Sequence, residues 1–201
     1  MIGRYLVLEG IDGAGTSTLL AGLKATLESM GKTVYCAAQP SDHGAGVLAR
    51  GYLKQPLHEE FERAALALCF ATDRLELRRD FEAAIARGEW VICDRSVLSS
   101  LVYQGSELDE DCVASINRFA LAADLTFLLD LPAQEAWVRI SARGGERERF
   151  EVLDTLGVLR QRYLDAARSF ASPVRLIDAT QTPSDVLDAV LRALRERGWL
   201  D

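Results

Sequence analysis

LVLEGIDGAGTSTLL, from Leu6 to Leu20, is the stretch on which the reading of the whole chain depends. An apolar run too short for a helix gives way to a glycine cluster, and hydroxyl residues then lead into a helical leucine pattern. Strand, glycine-rich loop and helix start, in that order, form the layout of a phosphate-binding loop. Gly10, Gly13 and Gly15 let the backbone curl so that successive N–H groups face phosphate oxygens. The candidate cradle is Gly10, Ile11, Asp12, Gly13, Ala14, Gly15, Thr16, Ser17 and Thr18, with Ser17 where the loop hydroxyl would ligate Mg²⁺. The pattern G-x-x-x-x-G-K-[ST] calls for lysine at position 16, and this chain has Thr16. The same layout also occurs as a plain tight turn, so the remaining sequence has to discriminate.

Outward from the loop, strands and helices alternate. Apolar runs at 4–9, 33–38, 90–93, 125–131 and 174–178 read as five strands. Helical patterns cover 18–30, 44–55, 58–87, 97–104, a stretch from Asp109, a stretch from Pro132 to about 143, 150–170 and 183–197, the last capped by Thr182 or Ser184. The strands are continuous apolar runs, which predicts a parallel sheet with helices on both faces, an α/β fold in a single domain over 1–201. Ligands of such sheets sit beyond the carboxyl ends of the strands. Converging there are the loop, Gln39-Pro40, Asp94-Arg95 and an arginine-rich segment at about 143–150, read as an exposed loop or lid.

The bulk composition bounds the function. With 201 residues and a net charge of −7, the chain can bury a full core and is unsuited to general binding of nucleic acid or a membrane surface. No apolar run reaches the roughly 20 residues of a membrane span, and the chain enters its first strand at once. A cytoplasmic enzyme is the expectation. Cys36, Cys69, Cys93 and Cys112 show no CxxC spacing and read as reduced core thiols.

Four constellations carry candidate chemistry. Asp94 follows a buried strand, facing the loop, and could order Mg²⁺ directly or through water, while Arg95 could clamp a phosphate bidentately; the plain alternative is a solvated ion-paired turn. Phe70 and Arg74, four apart on a helix, could stack on a base and hydrogen-bond to its edge, or be a core aromatic and a surface arginine. Ser99, Tyr103 and Gln104 share one helical face, a set suited to a sugar and a base, although each alone is unremarkable. Arg143, Arg147 and Arg149 crowd a glycine-containing loop, where arginines could neutralise charge in a phosphoryl-transfer transition state; interleaved glutamates also allow a solvated charge run.

Taken together, these residues resemble the thymidylate kinase family, whose members phosphorylate dTMP to dTDP with ATP. The resemblance covers nearly the whole chain and is carried by LEGIDGAG, Pro40, LCFATDRLELRRDFEAAIARGEWVICDRSVLSSLVYQG, LLDLP and RGGERERFE. It implies the three-layer fold of P-loop kinases, ATP and Mg²⁺ as cofactors, and a homodimer. Phe70 would stack on thymine; Arg74 and Gln104 would contact the nucleotide, with Ser99 beside the base. Tyr103 would lie by the deoxyribose, Arg95 would bind the acceptor phosphate, and Asp12 would sit near the sugar 3′-hydroxyl or the metal. The loop holds no arginine among residues 11–14, so the chain resembles members with catalytic arginines in the lid, here Arg143, Arg147 and Arg149.

Two departures stand out. Losing a charge such as the loop lysine without compensation costs about 3–4 kcal/mol, or about 10²–10³ in rate; the lid arginines are expected to supply it. Ala38-Gln39 stands where many members carry Arg-Glu, although Pro40 keeps the turn. Thr16 also leaves open a catalytically impaired homologue with a regulatory or scaffolding role, and the pocket leaves open another pyrimidine monophosphate such as dUMP.

Overall fold

Leu6 and Leu8 point to one face of the first strand and Tyr5 and Val7 to the other, and each pair enters a separate apolar layer. That strand, β1 (Arg4–Gly10), is the centre of a parallel sheet in a computed structural model that describes residues 3–143 and 152–201. The others are β2 (Val34–Ala38), β3 (Trp90–Asp94), β4 (Leu125–Asp130) and β5 (Val174–Asp178), in the spatial order β2-β3-β1-β4-β5. The chain runs outward to β2, returns to β3 beside β1, and then crosses to β4 on the other side. The order therefore reverses at β1, and the loop leaving β1 opens into the crevice made by that reversal.

The helices among the described residues are α1 (Thr16–Ser29), α2 (Gly44–Leu53), α3 (Glu60–Ala86), α4 (Val97–Tyr103), α5 (Glu110–Ile116), α6 (Ala133–Arg143), α7 (Leu153–Ser169) and α8 (Pro183–Glu196). Leu19, Leu23 and Leu27 bring α1 against the larger layer together with residues of α4, α6, α7 and α8. On the opposite face Leu77, Phe81 and Ala84 of α3 meet Tyr5, Val7, Val91 and Cys93, with the Tyr5 and Phe81 rings 5.1 Å apart. The α/β sandwich expected from the alternating pattern is what forms. Thr182 caps α8 by accepting from the Asp185 N–H, with Pro183 in the first turn.

Two expectations need correction. The strands are not uniformly buried: β5 lies at the sheet edge and leaves Leu176 exposed. Of the cysteines only Cys93 is buried, while Cys36 and Cys69 are half-buried and Cys112 is exposed; all four are free thiols. Along α3, Phe61, Leu68 and Leu75 face outward, while the buried stripe runs through Leu66, Ala67, Arg74, Leu77 and Phe81. None of the described helices is long and apolar enough to cross a membrane.

Candidate active site

The glycine-rich loop turns tightly, with Ala14 N–H donating to the Ile11 carbonyl at 3.0 Å, and α1 begins at Thr16, two residues earlier than its leucine periodicity implied. Gly13 is required by its surroundings as well as by its backbone. Its φ is +83°, and a Cβ there would lie 2.8 Å from the Ala136 carbonyl oxygen of α6. Ala14 and Ile11 are buried beneath the loop, so its underside is anchored in the core.

At the carboxyl end of β3, Asp94 Oδ2 accepts from Ser17 Oγ at 2.8 Å, which joins strand and loop as their positions implied. Asp94 Oδ1 is buried without a partner. A carboxylate with one unsatisfied oxygen, beside a loop hydroxyl, is an oxygen donor set that fits a hard divalent cation sharing its shell with phosphates and water. No group of three or more His, Cys, Asp or Glu side chains placed to hold a metal ion is found among the described residues.

Arg95 comes next, with a left-handed backbone (φ +71°), alone in this among the described non-glycine residues. That backbone sends the side chain across the loop, where Nη2 donates to Asp12 Oδ1 at 2.6 Å. Nη1 donates to Tyr163 Oη at 3.1 Å, Ser99 Oγ at 3.3 Å and Tyr103 Oη at 3.4 Å. Tyr103 donates in turn to Asp12 Oδ2 at 3.3 Å. Beneath them lies Glu9, fully buried at the end of β1, its carboxylate accepting from the Ser96 and Ser99 N–H groups, Ser99 Oγ and Tyr163 Oη. Burial pushes the Glu9 carboxyl above its ordinary pKa, against the opposing pull of those donors and of Arg95. Burial likewise raises the Tyr103 and Tyr163 phenols, so both are neutral donors near pH 7.

On α3, Arg74 is buried. Nη1 donates to Asn117 Oδ1 at 2.6 Å, and Nη2 to the Ser96 carbonyl and Ser100 Oγ, both at 2.9 Å. Its guanidinium lies over the half-buried Phe70 ring at 5.8 Å. The surface alternative for Arg74 is therefore excluded. Ser99 Oγ is likewise engaged within the protein, on Glu9, Tyr163 and Arg95.

One cavity of about 730 Å³ joins these groups. It is lined by loop residues 11–18 at one end and by Pro40, Phe70, Arg74, Arg95, Ser99, Tyr103 and Gln104 at the other, with Asp94 between and Arg143 at the rim from α6. Gly10 lies just outside that lining, at the end of β1. Arg147 and Arg149 lie outside the described residues.

The family model described as thymidylate kinase matches residues 8–190, which takes in both ends of this cavity. The chain belongs to the thymidylate kinase family. A probable thymidylate kinase of Pyrococcus horikoshii is 35% identical over 191 residues, covering 92% of this chain and 93% of its own. The thymidylate kinase of Chromohalobacter salexigens is 35% identical over 206 residues, covering 97% and 96%. That of Bordetella pertussis is 36% identical over 197 residues, covering 94% and 92%. Several groups that build the site of this family member are not evident from the sequence alone. Glu9 carried a signal, as a lone carboxylate in an apolar strand. Tyr163 and Asn117 carried none, because they reach the site from α7 and from the end of α5.

Proposed function

We propose that this protein transfers the γ-phosphoryl group of ATP to dTMP, giving dTDP and ADP. The observation that carries this reading is the single cavity lined at one end by a phosphate-type loop and at the other by Phe70, Arg74, Arg95 and Gln104, in a chain of the thymidylate kinase family. ATP would lie with its phosphates on the N–H groups of residues 10–18. Ser17 and Asp94 would hold Mg²⁺, which when bound neutralises charge on the phosphates. Arg95 would present the acceptor phosphate, with Asp12 and Tyr103 beside the sugar and Phe70 stacked on the base. That phosphate is largely dianionic at pH 7, since its second pKa is about 6, so its oxygen attacks without a general base. Positioning and charge neutralisation then account for the catalysis, and no covalent enzyme intermediate is required.

Arg143, at the end of α6, together with Arg147 and Arg149, is proposed to supply the charge that Thr16 lacks, in a lid spanning about 143–150 of the single domain. A homodimer is proposed too, supported by the seven-residue spacing of exposed Phe61 (72%), Leu68 (53%) and Leu75 (44%) along α3. A cytoplasmic setting goes with these substrates. ADP release followed with ATP, Mg²⁺ and dTMP tests the reading, with dUMP, dCMP, dGMP and AMP in parallel. Turnover favouring dTMP is expected; binding of dTMP without turnover on any acceptor would contradict it.

A further inference from the structure

Tyr163 sits in α7, far along the chain from both the loop and β3, and does not line the cavity. Its side chain is nevertheless almost wholly buried against the acceptor end, its ring edge-on to Tyr103 at 6.1 Å. The phenol proton has two acceptors, Ser99 Oγ at 2.8 Å and Glu9 Oε2 at 3.1 Å. Both routes end on the same buried carboxylate, because Ser99 Oγ itself donates to Glu9 Oε2 at 2.5 Å. Either way, the lone pairs of the phenol oxygen remain to accept from Arg95 Nη1 at 3.1 Å.

We infer that Tyr163 is a positioning residue for recognition of the acceptor phosphate: its hydroxyl, anchored on Glu9 and Ser99, fixes the orientation in which the Arg95 guanidinium faces the cavity. The inference rests on the reading of Arg95 as the group that binds that phosphate. Arg95 needs such a support. Its backbone is left-handed, its side chain reaches from the end of β3 to the loop, and Asp12 holds only one of its terminal nitrogens, while Tyr163 Oη is the nearest of the three hydroxyls on the other. A neutral hydroxyl can hold the other without neutralising the charge that the phosphate must meet. The contact also ties α7 to the centre of the sheet at Glu9, so the arginine is held from both halves of the chain.

Tyr163→Phe keeps the ring and its packing and removes only the hydroxyl. Calorimetric affinities for dTMP and for thymidine separate positioning from mere packing, because thymidine lacks the phosphate. The expected result is a dTMP affinity lowered about tenfold, the scale of one charge-assisted hydrogen bond, with thymidine affinity changed less than about twofold. Equal losses for the two ligands, or no loss for either, would overturn the inference. Glu9→Gln, which weakens the anchor and leaves the tyrosine in place, is the second variant; it is expected to lower dTMP affinity more than thymidine affinity, and parity between them counts against the inference even if Tyr163→Phe does not fold. Arg95→Ala separates this from the underlying reading. If Arg95→Ala loses the preference for dTMP over thymidine while Tyr163→Phe keeps it, only the role of Tyr163 fails. If Arg95→Ala keeps that preference, the assignment of Arg95 fails first.

Discussion

Arg95 at the carboxyl end of β3 donates to Asp12 of the glycine-rich loop at 2.6 Å, so the cation expected to meet the acceptor phosphate is held by the loop expected to bind the donor. Both side chains are about one-fifth exposed, so the pair is partly shielded from solvent. Removing Arg95 takes away its hydrogen bonds to phosphate as well as the partner of Asp12. Arg95→Ala is expected to lower kcat/KM for dTMP by about 10², the equivalent of about 3 kcal/mol of charge-assisted bonding, with a smaller effect on KM for ATP. Arg95→Lys should recover only part of this, because an ammonium keeps the charge and loses the planar fork. Steady-state kinetics with each substrate varied checks both expectations.

Thr16 stands where the loop pattern carries its lysine. Thr16→Lys is expected to raise kcat/KM for ATP by about tenfold or more, since a point charge returns to the donor phosphates. Replacing Arg147 and Arg149 by alanine should then impair the wild-type chain more than the lysine variant. Equal impairment of both would mean that those arginines do not stand in for the lysine.

Gly13 and Gly15 both have left-handed backbones, at +83° and +96°, yet differ in surroundings. A Cβ at Gly13 meets the Ala136 carbonyl at 2.8 Å, whereas one at Gly15 meets nothing within 4 Å. Gly15→Ala should cost about 1–2 kcal/mol from the backbone alone. Gly13→Ala should cost more, because α6 must also shift. Denaturant unfolding of the two variants gives the comparison directly.

Glu9 carries a pH dependence whose sign follows from its raised pKa. Between its ordinary value of 4.5 and its raised folded value, the folded chain holds the proton more tightly than the unfolded one. The stability of the wild type relative to Glu9→Gln is therefore expected to fall as pH rises from about 4.5, and to level off above the folded value. Unfolding free energies of both proteins across that range test it; a difference that grows with pH would contradict the burial argument.

Local chemistry explains which features were legible in the sequence. The glycine loop, the Thr182 cap and the parallel strand runs are written in neighbouring residues, and Ser17 and Asp94 could be paired because strand ends converge in this architecture. Distance along the chain hid the rest. Tyr163 meets Glu9 across 154 positions, and Asn117 meets Arg74 across 43, contacts that no periodicity announces. The outward face of α3 is hidden for a different reason: Phe61, Leu68 and Leu75 share the helical spacing of the buried residues, and only the packing partners decide which apolar face is covered.

Phosphoryl transfer and its acceptor preference are read together by incubating the protein with ATP labelled at the γ-phosphate, Mg²⁺ and an equimolar mixture of dTMP, dUMP and dCMP, and resolving the labelled diphosphates. Label is expected to appear chiefly in dTDP. Label chiefly in another diphosphate, or none in any of them from protein that binds dTMP, would contradict dTMP kinase activity.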